Sequence, residues 1–183
     1  MKRRRLSYLL FVNLFSLTGY YAFTPLYAIY ANRFVADPKT IGLVWSVYSL
    51  LLAFCVLLMG KIENRANKAH ALVFGYLLCA IGAVSFLEVT NTTTLLIVLA
   101  INALGGGATL PALKTLFAKN EMKGRESEQW AWLDAGNMFA AAGGAAIGGI
   151  VVGLYGFHGL FLVMAAIQLS AAIVAYKLVF RLS

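Results

Sequence analysis

The run of small residues between Asp134 and Gly156 decides the fold. It opens with Asp134-Ala-Gly-Asn137 and continues through Gly143-Gly144-Ala145-Ala146-Ile147-Gly148-Gly149 to Gly153 and Gly156. In a soluble helix each glycine would cost about 1 kcal/mol relative to alanine. In a bilayer a helix satisfies its own backbone groups, and small residues at four-residue spacing let a second helix approach closely. Since Gly144/Gly148 and Gly149/Gly153 have this spacing, we predict a membrane helix that is packed on more than one side.

The composition supports a membrane protein. Of the 183 residues, 61% are hydrophobic and 12% are charged, and the mean hydropathy is +0.80. The net charge of +8 does not indicate a nucleic-acid partner, because the basic residues are scattered between apolar runs. Cys55 and Cys79 lie inside apolar runs, where a thiol is usually a small buried hydrophobe. We therefore expect no disulfide, metal site or cofactor.

Apolar stretches long enough to cross a bilayer, which takes about 20 residues, recur along the whole chain. They predict an all-α integral membrane protein with a single six-helix domain over residues 1–183. The apolar run after Lys2–Arg5 is longer than the ~7–15 apolar residues of a signal peptide and is predicted to be a retained first span. The predicted spans lie near Leu6 to Tyr30, Thr40 to Met59, Ala69 to Val89, Thr93 to Phe117, Gln129 to Leu154 and Gly159 to Phe180.

The distribution of Lys and Arg predicts the orientation. If the N-terminus is cytoplasmic, 13 of the 15 basic residues lie in the cytoplasm and only Arg33 and Lys39 lie outside. Cytoplasmic loops of membrane proteins carry such an excess of positive charge. We therefore expect both termini in the cytoplasm, in a plasma or inner membrane.

A polar stripe on the first span is the clearest functional signal. The stripe consists of Asn13, Ser16, Tyr20, Thr24 and Tyr27, which fall within a sector of about 80° on a helix. A polar stripe that runs the full depth of a span would be unfavourable against lipid. The stripe either hydrogen-bonds to neighbouring helices or lines a water-filled path. Together with polar residues of the fourth and fifth spans, it predicts a substrate path formed by Asn13, Ser16, Tyr20, Thr24, Tyr27, Asn102, Thr109 and Asn137.

Taken in order, these features resemble the N-terminal half of a major facilitator superfamily transporter. The segment Gly60-Lys61-Ile62-Glu63-Asn64-Arg65-Ala66-Asn67-Lys68 is similar to the family loop G-x-L-x-D-R-x-G-R, with Asn64 for Asp and Asn67 for Gly. Gly105-Gly106-Gly107-Ala108 is similar to the end of R-x-x-Q-G-x-G, with Ile101 at the arginine position. Gly144 to Gly149 resembles the antiporter motif G-P-x-x-G-G, with Ala145 for Pro, and Gly156 to Phe161 resembles G-W-R-x-x-F.

The resemblance implies one half of a twelve-helix fold, built as a 3+3 inverted repeat with the substrate site between two halves. A second copy rotated about the membrane normal would have the orientation of the missing half. We therefore expect a half-size transporter that works by alternating access as a parallel homodimer, with the polar stripes of the two first spans facing each other. The alternative partner is a different six-helix half encoded elsewhere.

Two further sets of residues are candidates for function. Charged residues near the cytoplasmic side form either a cytoplasmic latch or a proton-coupling group: Asp134, Lys114, Arg65 and Glu63. Glycines expected to permit helix movement are Gly60, Gly105, Gly107, Gly144, Gly148 and Gly149.

The predicted lining is neutral, polar and aromatic, which suits an uncharged, amphipathic or lipophilic-cationic small molecule. Enzyme motifs are absent: Lys114-Thr115 resembles the end of a P-loop, but Leu113 stands where the Gly before the Lys is needed. The alternative function is a non-transporting six-helix scaffold or regulatory subunit.

Overall fold

The computed structural model describes residues 2–35, 37–63 and 67–182, and their regular structure is helical. The first helix, α1 (Lys2–Phe23), is followed by a 3-10 turn, Thr24–Leu26, where Pro25 lacks the N–H that an α-helix would need. A second 3-10 turn, Phe86–Glu88, follows the helix Lys68–Ser85. The helices are α1 (Lys2–Phe23), α2 (Tyr27–Ala31), α3 (Pro38–Glu63), α4 (Lys68–Ser85), α5 (Thr92–Asn120) and α6 (Glu126–Leu182).

Side chains cap three helix starts among the described residues, and one of them is α4, where the Asn67 side chain accepts a 3.0 Å hydrogen bond from the Ala69 N–H. The Asn91 side chain accepts a hydrogen bond from the Thr94 N–H (3.0 Å), and the Thr94 hydroxyl accepts one from the Asn91 N–H (3.1 Å), so α5 begins with a capping box. At the start of α3 the Asp37 carboxylate accepts from the backbone N–H groups of Lys39 and Thr40. Hydrogen bonding, first from the Thr40 hydroxyl and then from these amides, lowers the Asp37 pKa.

The last helical stretch, α6, is two helices joined at Gly156. Its 57 residues would extend about 85 Å as one helix, far beyond a hydrocarbon core of about 30 Å. Gly156 has φ 68° and ψ −174°, a non-helical conformation within this stretch. We call residues 126–155 α6a and residues 157–182 α6b; the predicted fifth and sixth spans fall on the two sides of the break.

The chain reverses direction at Gly156, as its contacts with α1 show. Along α6a, Asn137 meets Asn13 and Gly144 meets Thr18, so the numbering rises together and the helices run parallel. Along α6b, Gln168 meets Ser16 and Phe161 meets Phe23, so α6b runs antiparallel to α1. α1 is therefore packed against both arms of α6.

Aromatic rings fill the end of the bundle where α1 finishes. The Phe23 ring lies 5.4 Å from that of Phe161, and the Phe86 and Phe161 rings are stacked at 4.9 Å. Tyr30 packs among them and donates a 2.6 Å hydrogen bond to the Phe86 carbonyl. We call Phe23, Tyr30, Phe86, Phe157 and Phe161 the aromatic cluster.

Glycines of α5 bring three helices close together. A Cβ built on Gly105 would lie 2.6 Å from the Cys79 sulfur and 2.9 Å from the Gly75 carbonyl oxygen, both in α4. A Cβ built on Gly107 would lie 2.5 Å from Cβ of Cys55 in α3. Small residues therefore set the spacing of α3 and α4 on the two sides of α5.

The glycine run in α6a is packed on one side within a single chain. Gly144 and Gly148 meet the backbone of α1, whereas nothing lies within 4 Å of a Cβ built on Gly143, Gly149 or Gly153. The expectation of packing on more than one side is therefore wrong for one copy of the chain. The sequence spacing identified two small faces but not which of them a neighbouring helix of the same chain covers. Gly60 likewise has open space beside it.

Candidate solute path

The first part of the polar stripe holds helices together. The buried Asn13 side chain donates a 2.7 Å hydrogen bond to Oδ1 of Asn137 in α6a. One turn further on, the Ser16 hydroxyl donates to Oε1 of Gln168 at 2.7 Å, and Nε2 of Gln168 donates back to the Ser16 carbonyl at 3.2 Å. Asn13 and Ser16 thus face α6 of their own chain and not a second copy, as expected for a stripe that hydrogen-bonds to its neighbours.

The second part of the stripe borders a small cavity between α1, α3, α5 and α6b. The cavity has a volume of about 20 Å³, room for about one water molecule. Tyr20 and Thr24, two residues of the stripe, contribute to its wall, and so does Asn102 of α5. The remaining lining residues are Phe23, Trp45, Tyr48, Phe86, Leu99 and Met164.

Trp45 and Tyr48 of α3 are cavity residues that the sequence analysis did not single out. Their rings lie 5.1 Å apart, three positions along one helix face, and Trp45 also contacts the Tyr27 ring at 4.5 Å. The spacing of two aromatic residues at i and i+3 was visible in the sequence.

Tyr27 is the one stripe residue whose buried hydroxyl lacks a hydrogen-bond partner among the described residues. The side chain is 5% exposed, and an unsatisfied buried polar group costs about 1–3 kcal/mol. Such a group is a candidate contact for a bound water or solute.

The two polar residues predicted on α5 behave differently. Asn102 donates to the Val98 carbonyl at 2.9 Å and packs on Gly82 while bordering the cavity. Thr109 donates to the Gly106 carbonyl at 3.2 Å and packs against Gly75 of α4. The structure therefore brings Asn102, Tyr20 and Thr24 together, and it places Thr109 and the Asn13–Asn137 pair elsewhere.

Two of the four charged residues predicted to form a latch have described side chains, and both are exposed. Asp134 and Lys114 both have exposed side chains, and no ion pair joins them in the described part of the chain. Arg65 lies outside the described residues, as does the side chain of Glu63, so the latch stays a prediction. The ion pair present at this end joins Arg125 and Glu128 at 2.7 Å.

The whole bundle corresponds to a known family. The family model of the Major Facilitator Superfamily matches residues 9–182. The chain belongs to the major facilitator superfamily. It is therefore a multi-pass integral membrane protein of a transporter family, and its fold is one that typically carries transport and not catalysis. A search of curated proteins found no match.

A solved structure shows the same fold. This superfamily member superposes with a TM-score of 0.78 and 15% sequence identity on the structure titled "In meso crystal structure of the POT family transporter PepTSo". The match covers 95% of this chain and 37% of that transporter. At this identity the likeness shows the fold alone.

Proposed function

We propose that this chain is a half-size secondary transporter whose six helical spans cross the membrane, with both termini in the cytoplasm. The reversal at Gly156 supports six crossings, because it adds one to the five apolar helical stretches. The excess of Lys and Arg in the predicted cytoplasmic segments supports this orientation in a plasma or inner membrane.

The observation that carries the proposal is the polar and aromatic cavity between four helical segments of a superfamily bundle. Tyr20, Trp45 and Tyr48 supply aromatic faces, and Asn102 supplies an amide. Among the described residues, no Asp, Glu, Lys or Arg lines the cavity. This lining favours a small neutral, amphipathic or lipophilic-cationic solute, since aromatic faces attract cations without a carboxylate.

The cavity is too small for such a solute, so alternating access requires a second half. We propose a parallel homodimer, because a second copy supplies a half of the same orientation. The open face of α6a offers a surface for it. Gly143, Gly149 and Gly153 have nothing within 4 Å, and Phe139, Ile150 and Leu154 beside them are exposed. Small residues at four-residue spacing favour close helix contact in a bilayer.

Transport is tested in liposomes that contain the purified protein, with an imposed proton gradient and a panel of dyes, neutral sugars and organic cations. Uptake or efflux above that of empty liposomes supports the proposal, and no flux for any solute contradicts it. Assembly is tested separately with a single cysteine in place of Gly149 in a Cys55→Ala/Cys79→Ala background. Disulfide-linked dimers support the parallel homodimer; an exclusively monomeric protein that still transports rules it out.

Two alternatives follow from specific observations. Asn13 and Ser16 are used in helix contacts, and Ile101 replaces the motif arginine, which favours a scaffold or regulatory subunit. Coverage of 37% of a longer transporter is also compatible with a different partner half. Co-purification of a second, unrelated six-helix chain from the native membrane would favour that partner.

A further inference from the structure

A second and larger cleft lies at the end of the bundle opposite the aromatic cluster. Its volume is about 240 Å³, and it is formed where α1 begins, where the segment between α5 and α6 passes, and where α6a begins. It shares no residue with the solute cavity. Leu6, Leu10 and Met122 provide apolar wall, whereas Arg125, Glu128 and Trp132 stand on the α6 side.

Hydrogen bonds hold the wall of this cleft in place. The Gln129 side chain accepts from the Met122 N–H at 3.0 Å and donates to the carbonyls of Met122 (3.1 Å) and Arg125 (2.8 Å). The Trp130 indole N–H donates to the Glu121 carboxylate at 3.1 Å. The segment between α5 and α6 is thereby tied to the first turns of α6a, so the cleft exists before any ligand enters.

Arg125 brings anion-binding capacity to a cleft whose other polar lining residues are Ser7, Glu128 and Gln129. Its Nε and one terminal nitrogen each donate to Glu128 at 2.7 Å, and its side chain remains 58% exposed. A guanidinium carries five N–H donors in a planar fork that suits phosphate, so donors remain after the pair with Glu128 is formed.

The residues around the cleft favour an anionic group at the level of the lipid headgroups. Lys2, Arg3, Arg4 and Arg5 directly precede Leu6, and Lys123 is two positions before Arg125. Trp132 is 62% exposed, and exposed tryptophan is enriched where a membrane protein meets the headgroup layer. Basic clusters beside membrane helices attract anionic lipid headgroups.

We propose that this cleft binds an anionic phospholipid. The phosphate pairs with the free donors of Arg125, and one acyl chain lies along Leu6, Leu10 and Trp132. The lipid bridges the start of α1 and the start of α6a, the two helices whose backbones touch at Gly144 and Gly148. The proposal does not depend on transport, since it concerns lipid binding at a separate place.

The test is native mass spectrometry of the full chain in mild detergent, with phosphatidylglycerol, phosphatidylcholine and inorganic phosphate as probes. We expect retained phosphatidylglycerol, and an affinity about tenfold lower in Arg125→Gln, the change expected for loss of about one charge-assisted hydrogen bond. The matched control is Arg33→Gln. Arg33 is an exposed arginine at the other end, where it lies 4.6 Å from the Phe157 ring centre.

Two more variants test lipid binding in the cleft independently of any effect of Arg125→Gln on the fold. Glu128→Gln frees guanidinium donors and should tighten phosphatidylglycerol binding, whereas Leu10→Trp fills the cleft and should weaken it at unchanged charge. Equal loss of lipid in Arg125→Gln and Arg33→Gln would overturn the proposal. So would equal retention of phosphatidylcholine, or displacement of the lipid by an equimolar amount of inorganic phosphate.

Discussion

Gly148 of α6a lies directly against the main-chain carbonyl of Ala22 in α1, and a Cβ added to Gly148 would collide with that oxygen. One turn earlier, a Cβ on Gly144 would lie 2.6 Å from the Thr18 carbonyl oxygen. These two glycines, one helical turn apart, thus let the backbones of α1 and α6a touch over a full turn. On the face that carries Gly144 and Gly148, the glycine run therefore forms a close helix contact within one chain.

This contact predicts that Gly148→Leu destabilises the bundle. The leucine must displace the α1 backbone, because a main-chain carbonyl cannot rotate away as a flexible side chain could. Overpacking typically costs about 1–3 kcal/mol, and a backbone collision belongs at the upper end. Thermal unfolding in detergent should show a clearly lower melting temperature.

The matched control for this prediction is Gly149→Leu, which places the same side chain in open space one residue along. It should keep the melting temperature of the monomer, although it would disturb a homodimer that uses this face. Equal melting temperatures for the two variants would mean that α1 does not touch α6a as described.

The Asn13–Asn137 hydrogen bond predicts a coupling between these two residues. Asn13→Leu and Asn137→Leu each leave one amide buried without its partner, whereas the double variant removes both amides. Unfolding of the four proteins in a denaturing detergent should give a coupling of about 0.6 kcal/mol, typical of hydrogen bonds between membrane helices.

Transport rates of the same variants show whether Asn137 has a structural role or contacts the solute. If Asn137 acts only through its bond to Asn13, activity should follow stability in all of them. A loss of transport in Asn137→Leu far beyond its loss of stability would support its place on the substrate path.

The sequence predicted the helical architecture well, because it depends on local features. The membrane-length apolar stretches and the interruption between the fifth and sixth predicted spans are both visible in short segments of sequence. The stripe residues Asn13, Ser16, Tyr20 and Thr24 face into the bundle, and their role in a substrate path stays a prediction.

The sequence could not show which helix packs against each helix face. Gly144/Gly148 and Gly149/Gly153 have the same spacing, yet α1 covers only the first pair. Likewise, nothing local distinguishes Ser16, which is bonded to Gln168, from Tyr20, which borders the cavity. These differences depend on helices more than a hundred residues apart in sequence, which periodicity along one helix cannot describe.

The cavity predicts that Tyr20→Ala reduces transport without preventing membrane insertion. The substitution removes an aromatic face and its hydroxyl from the lining, and we expect roughly a tenfold lower rate, equivalent to about 1.4 kcal/mol. Trp45→Ala should have a similar effect because Trp45 borders the same cavity. The rate is measured in liposomes with equal amounts of inserted protein.

Tyr8→Ala serves as the control on the same helix, since Tyr8 is 41% exposed and does not line the cavity. Normal rates in Tyr20→Ala and Trp45→Ala would remove both residues from the substrate path.

Asp37 predicts an acid-sensitive start of α3. The Thr40 hydroxyl and the amides of Thr40 and Lys39 bond to its carboxylate and lower its pKa. Because the folded-state pKa is lowered, the stabilisation is complete above the ordinary carboxyl pKa of about 4. It is lost as the pH falls through the lower, folded-state pKa.

Melting temperatures of the wild type and Asp37→Ala test this acid sensitivity. The gap between the two proteins should be present at pH 7 and should shrink towards pH 3. A gap that stays constant over this range would contradict the role of the ionised carboxylate.

The backbone conformation of Gly156 predicts that a single added methyl group lowers the unfolding free energy. Its φ of 68° and ψ of −174° lie in a region that is essentially restricted to glycine. No atom lies within 4 Å of a Cβ built there, so any effect of Gly156→Ala must come from the backbone conformation. We expect a loss of about 1–3 kcal/mol in unfolding free energy. Gly153→Ala is the control, because Gly153 has the same open surroundings at a helical φ. If both alanines were equally well tolerated, the reversal between α6a and α6b would need a different turn.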